Sequence, residues 1–342
     1  MWMTWFETLS RIGLFFASVM WVGLPLAWRM LSPNVAASGN APYSPIHLQK
    51  WVGMATGLFA MAATGLFVIQ ILGVGFENLS WPLLQWFVFE SELGWMWLAR
   101  VLMAGLASIF LPKLAVSRWW WVAAITGLLT QISISLVSHT AAHFPGPDLL
   151  IDLGHLLGSA IWAGGLLVLA THLPEWHAVS AERERNGKRG GVRLIRKVTQ
   201  RFATLGIVGV GLLAASGVSL VALHLPDLGE LTKTQYGETL IIKTFLALGA
   251  MLLGGVHWLI VPRFLRTPTH AQGFILSIQI ETAIVLGVLF LAARLTSLSP
   301  GHDAHHVVEA SLAGPLQMLS GFILIGGIAA LVWQWDKPEL NS

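Results

Sequence analysis

Seven histidines hold most of the metal chemistry available to this 342-residue chain. His139 and His143 are four residues apart, so a helix through them sets both imidazoles on one face. His302, His305 and His306 crowd into GHDAHH, where Asp303 adds a carboxylate. His155 and His224 sit near the ends of apolar runs. Neutral imidazole is a good ligand for copper, zinc or nickel. With no cysteine in the chain, thiolate metal sites and disulfides are excluded. Soft donors are then limited to the ten methionines. Met20, Met54, Met61, Met96, Met103 and Met251 fall in apolar stretches, where a thioether suits monovalent copper but more often only packs.

Four charged residues stand inside or close to apolar runs: Arg100, Lys243, Glu281 and Arg294. A charge at membrane depth is costly unless it has a partner or a task. Arg100 and Lys243 are near enough to the helix ends to snorkel. Glu281 is deeper, which requires a buried partner or a cation path. The chain contains no phosphate loop, no nucleophile triad and no HExxH, so its chemistry is expected to be carriage rather than catalysis.

The elements that position these groups must be membrane helices. Hydrophobic residues make up 55% of the chain and charged residues 11%, against a usual charged share of about 25%. Only a lipid-facing surface tolerates so little charge. Nine stretches reach the roughly 20 apolar residues needed to cross a bilayer: 8–31, 51–74, 94–112, 118–138, 153–173, 202–224, 238–261, 274–298 and 314–335. WPLLQWFVF, 81–89, is too short and reads as an interfacial or re-entrant piece. Tryptophans such as Trp81, Trp86, Trp95, Trp97 and Trp119 gather at span ends, as in interfacial belts. Basic residues sort onto alternate connections. Arg29 and Lys50, Lys113 and Arg118, Arg263 and Arg266, and the run from Arg183 to Arg201 form one set. The other set carries Glu77, Glu90, Asp148, Asp227 and Asp303, with Lys233 as the exception. The positive-inside rule makes the first set cytoplasmic. The amino terminus is then expected in the periplasm and the carboxyl terminus in the cytoplasm.

The sequence also repeats. Gly13, Ser18, Trp21 and Gly23 recur at the same spacing as Gly154, Ser159, Trp162 and Gly164. Thr64-Gly65 answers Ser216-Gly217. Gly94 precedes Arg100 by six residues, as Gly237 precedes Lys243. The expected fold is therefore all-α, with two parallel four-helix membrane repeats and one extra helix. The repeats take residues 1–150 and 151–300, and the His-rich loop and final helix take 301–342. An even number of helices per repeat gives both the same orientation.

The sequence resembles the copper-resistance D family of bacterial inner-membrane proteins. The matching pieces are SHTAAH (138–143), DLGHLLGSAIWAGGLL (152–167), RFATLGIVGVGLLAASG (201–217), TQYGETLIIKT (234–244) and IETAIVLGVLFLAARLTSLSP (280–300). The resemblance implies a multi-pass inner-membrane protein that binds copper and moves it toward the cytoplasm. It also implies a small periplasmic copper-binding partner, here expected as a separate protein, and no nucleic acid. The metal is expected at the periplasmic-side histidines, with His139, His143 and His155 converging and His224 or the 302–306 cluster adding a donor. The alternative is a b-type haem protein for electron transfer, because four-helix membrane units can hold haem between paired histidines. Membrane lipids surround either one.

Overall fold

The computed structural model describes residues 2–31, 46–75, 79–110, 120–136, 147–185, 191–224, 228–259, 265, 268–296 and 298. Within them the protein is all helix apart from turns. The order is α1 (Trp2–Leu31), α2 (Ile46–Leu72), α3 (Trp81–Phe89), α4 (Glu92–Phe110), α5 (Trp120–Ser135), α6 (Pro147–Arg185), α7 (Gly191–His224), α8 (Gln235–Leu259) and α9 (Pro268–Leu295), with a short 3-10 turn at Leu228–Thr232. Among the described residues, seven helices are long and apolar enough to cross a membrane: α1, α2, α4, α6, α7, α8 and α9. Ile125–Ser135 in α5 is a shorter apolar helix among the described residues. The expected span at 314–335 lies outside the described residues.

Hydroxyls in these helices donate back to their own backbone. Thr56 bonds the Val52 carbonyl, Thr130 that of Thr126 and Thr199 that of Ile195. Where no water reaches, a hydroxyl must find a partner, and the carbonyl one turn back is always in range.

α3 is the expected short piece. Ser80 caps its start, accepting from the Leu83 amide, and Pro82 occupies the first turn, where its missing N–H costs nothing. Ser91 caps α4 through the Gly94 amide at 3.0 Å. A β-carbon at Gly94 would collide with the Phe87 carbonyl, so α3 folds tightly back onto α4. Trp81, Trp86 and Trp95 are exposed, as interfacial residues would be. Trp97 is not one of them. It stacks on Phe67 at 4.7 Å and donates to the Thr64 hydroxyl at 3.2 Å.

α6 is much longer than the span read from hydropathy. Its 39 residues extend about 58 Å at 1.5 Å per residue, roughly twice the hydrocarbon thickness. The stretch Glu175–Arg185 stays helical because Ala, Glu and Arg are strong helix formers. α6 thus ends at Arg185, and α7 starts at Gly191.

α1 and α6 form the centre. Trp21, Leu24, Leu166 and Leu169 are fully buried, and Trp21 packs on Phe59 at 5.2 Å. The two helices cross at Gly23 and Gly164. A β-carbon on Gly23 would strike the Ala160 carbonyl and lie 2.8 Å from the Gly164 α-carbon. Only glycine on both sides permits this approach. α6 and α7 meet similarly at Gly158 and Gly209.

Candidate functional site

A cavity of about 720 Å³ is built where one set of helix ends comes together. Its wall includes the beginnings of α1, α4, α6 and α8, and the last turns of α2, α5, α7 and α9. Alternation of chain direction thus brings Arg100, Asp152, His155 and Lys243 to one chamber. Most of the remaining lining is apolar, with Phe15, Phe67, Trp97 and Trp162 as its larger side chains.

His155 is two turns into α6 and half-buried. Its Nδ1 lies 3.0 Å from the Ser216 hydroxyl on α7. That hydroxyl already donates to the Leu212 carbonyl. Its one proton being spent, Ser216 must accept, so Nδ1 carries the imidazole hydrogen. Nε2 then keeps the lone pair, with no hydrogen-bond partner among the described residues. Gly217 leaves space beside the ring, since a β-carbon there would be 3.6 Å from the imidazole Cε1. A ring held at one nitrogen and open at the other is the usual arrangement of a metal-binding histidine. Met96 and Met251 line the same chamber. Met54 and Met61, by contrast, face outward and are exposed.

The charged neighbours are set differently. Arg100 is buried and does not snorkel. Its Nε donates to the Ser133 hydroxyl at 3.2 Å and its Nη2 to the Ser133 carbonyl at 2.8 Å, both on α5. Asp152 accepts from Ser135, tying the end of α5 to the start of α6. Glu7 and Arg11 pair at 2.7 Å across one turn of α1. Arg294 is exposed at the end of α9.

Glu281 lies elsewhere. It is 1% exposed and bonded to His257 of α8, Oε2 to Nδ1 at 2.7 Å. The other imidazole nitrogen meets the Ser277 hydroxyl at 2.7 Å. Glu281 Oε1 has no hydrogen-bond partner among the described residues, and the missing side chain of Gly254 leaves it room. A second buried histidine, His172 of α6, lies between Trp28 at 4.8 Å and Trp176 at 5.9 Å, with both ring pairs tilted. Sequence reading passed over His172. Its spacing to Trp176, four residues on, is the signal that puts both on one helix face.

Of the other expected metal donors, His139, His143, His302, His305 and His306 lie outside the described residues, as does the side chain of His224. Among the described residues no three of His, Asp and Glu are grouped to hold a metal ion.

Two family models match the sequence: "Copper resistance protein D-like, N-terminal domain" over residues 2–145 and "Copper resistance protein D" over residues 196–295. The copper transport protein CutJ of Bacillus subtilis (strain 168) is 27% identical over 228 residues, 64% of this chain. The match takes in 39% of the length of CutJ. Among solved structures, the bd oxidase from Geobacillus thermodenitrificans superposes with a TM-score of 0.51 over 98% of both chains at 11% identity, a likeness of fold alone. With its two family matches reaching from residue 2 to residue 295, this multi-pass helical membrane protein belongs to the copper resistance protein D family.

Proposed function

We propose that this protein binds copper in its cavity end and passes it across the bacterial inner membrane. The observation that carries this reading is His155. Its Nε2 lone pair has no partner among the described residues, its ring is fixed by Ser216, and two thioethers share its chamber, in a chain of the copper resistance D family. Imidazole and thioether together suit copper better than magnesium or calcium. His139 and His143 belong to the segment between α5 and α6, whose flanking ends are joined by Ser135 and Asp152. That connection supports a role for both in capture, with His224, His302, His305 and His306 as outer donors. A separate periplasmic copper-binding protein is the expected source of the metal.

Metal content tests it. Protein purified, loaded with copper and desalted should lose at least half its bound copper on His155→Ala. The reason is that a half-buried ligand has no solvent substitute. His302→Ala should cost less. Equal copper in the wild type and in a His139/His143/His155 triple alanine variant removes the site. A Soret band in the visible spectrum of the purified protein decides instead for haem b.

Orientation follows from charge. Arg29, Lys50, Arg196, Lys197 and Arg201 gather at the end opposite the cavity, where Arg201 donates to the Met30 carbonyl and Arg196 to that of Leu265. By the positive-inside rule that end is cytoplasmic and the cavity faces the periplasm. The Cys-free chain permits single-cysteine labelling. An impermeant thiol reagent on intact spheroplasts should modify Gln235→Cys and spare Lys197→Cys. The reverse pattern inverts the reading.

The duplication is part of the same reading, with residues 1–150 and 151–300 as the two units. Near a two-fold axis, equivalent residues meet each other. Gly23 and Gly164 are equivalent in sequence and pack against one another, and Trp21 and Trp162 are both buried beside them. Arg100 and Lys243 each stand eight residues into their helix and line one cavity. These pairings support two parallel repeats about an axis along the membrane normal.

A further inference from the structure

Among the described residues of the cavity wall, positive charges outnumber negative ones. Among the described charged side chains on its wall, Arg11, Arg100 and Lys243 face Glu7 and Asp152. Glu7 is taken by Arg11. Asp152 accepts from Ser135. Arg100 is bonded only to neutral acceptors of Ser133, which fix its direction without cancelling its charge. Lys243 makes no hydrogen bond or ion pair among the described residues. It stands about 12 Å along α8 from Gln235, at 1.5 Å per residue. An unpaired cation at that depth is costly, and a carboxylate or phosphate beside it removes the cost.

Size and lining narrow the ligand. About 720 Å³ is the volume of a small-molecule pocket, far beyond one inorganic anion. Leu213, Val218, Val285 and Leu289 extend the wall as bare hydrocarbon. A free anion would satisfy the two cations and leave that wall empty. A neutral lipid would fill the wall and leave the cations unpaired.

We propose that the cavity is a binding site for an anionic amphiphile, an acyl lipid whose phosphate or carboxylate group sits between Lys243 and Arg100 with its chain along the apolar wall. The proposal does not rest on copper, and its test contains none.

The test uses the full chain in a neutral maltoside detergent, stripped of lipid. Thermal unfolding is followed with dioleoyl phosphatidylglycerol, oleate, dioleoyl phosphatidylcholine or inorganic phosphate. Phosphatidylglycerol and oleate should raise the midpoint by several degrees and saturate, and native mass spectrometry should show one retained copy. Phosphatidylcholine and inorganic phosphate should leave the midpoint unchanged. Lys243→Gln should weaken the response about tenfold in lipid concentration, Lys243→Arg should restore it, and Lys197→Gln at the opposite end should not affect it. Lys243 has no hydrogen-bond or ion-pair partner to lose among the described residues, so its substitution should leave the fold intact. An equal shift with phosphatidylcholine, a full response in Lys243→Gln, or a full shift with inorganic phosphate alone overturns the proposal. The last outcome would mark a plain anion site.

Discussion

Gly23→Ala or Gly164→Ala should strongly destabilise the bundle, although each adds a single methyl group. The new carbon on Gly23 meets the Ala160 carbonyl and the Gly164 α-carbon, all backbone atoms of a facing helix. The new carbon on Gly164 meets the backbone of Gly23 in turn, 2.5 Å from its carbonyl carbon. No rotamer change relieves a clash of backbone with backbone, so α1 and α6 must move apart along their crossing. Overpacking of an ordinary core costs about 1–3 kcal/mol, and this crossing anchors the centre of the bundle, so the loss belongs at or above the top of that range. Gly57 and Gly105 supply the control. A β-carbon at either meets nothing within 4 Å, so alanine there should be neutral or stabilise by up to about 1 kcal/mol through helix propensity. Denaturation in mixed detergent, followed by the fluorescence of the 17 tryptophans, separates the two pairs. Wild-type midpoints for both crossing variants would mean that the helices do not approach there.

The same glycines show how much was legible in the sequence. Gly13, Ser18, Trp21 and Gly23 against Gly154, Ser159, Trp162 and Gly164 pointed to a repeat, yet nothing in one dimension says that Gly23 and Gly164 touch. Hydropathy located the long spans because twenty apolar residues leave little ambiguity. It missed the extension of α6, since Glu175–Arg185 is mostly polar and its helicity draws on propensity. At the site, His155 stood out as a lone imidazole in an apolar run. Its tautomer depended on Ser216, sixty-one residues away, whose proton goes to Leu212. Arg100 read as a snorkelling residue because Ser133 is invisible as a partner until α4 and α5 are packed. Long-range register between helices is what sequence spacing does not carry.

That missing register also hid the pair with the second large expected effect. Glu281 and His257 are 24 residues apart on adjacent antiparallel helices, 2.7 Å from each other and almost fully buried. His257→Ala should destabilise the protein by about 3–5 kcal/mol, the usual cost of leaving one member of a buried pair alone. Glu281 would then lose its one bonded oxygen, while Oε1 is already without a partner among the described residues. Glu281→Gln should cost less, about 1–3 kcal/mol, because the amide oxygen can still accept from the imidazole while its NH2 is left unsatisfied. Replacing both with leucine should recover most of the loss, since a well-packed apolar pair is often as stable as the buried polar pair it replaces. A double-mutant cycle on unfolding midpoints, made of His257→Leu, Glu281→Leu and the double leucine variant, measures the coupling. Additive losses, with the double leucine variant as unstable as the two single variants together, would show that the two side chains do not act as a pair. If stability returns in the double variant but copper uptake by reconstituted vesicles does not, the pair is retained for transport. The imidazole and carboxylate would then be needed on the path between the cavity and the basic end of the bundle.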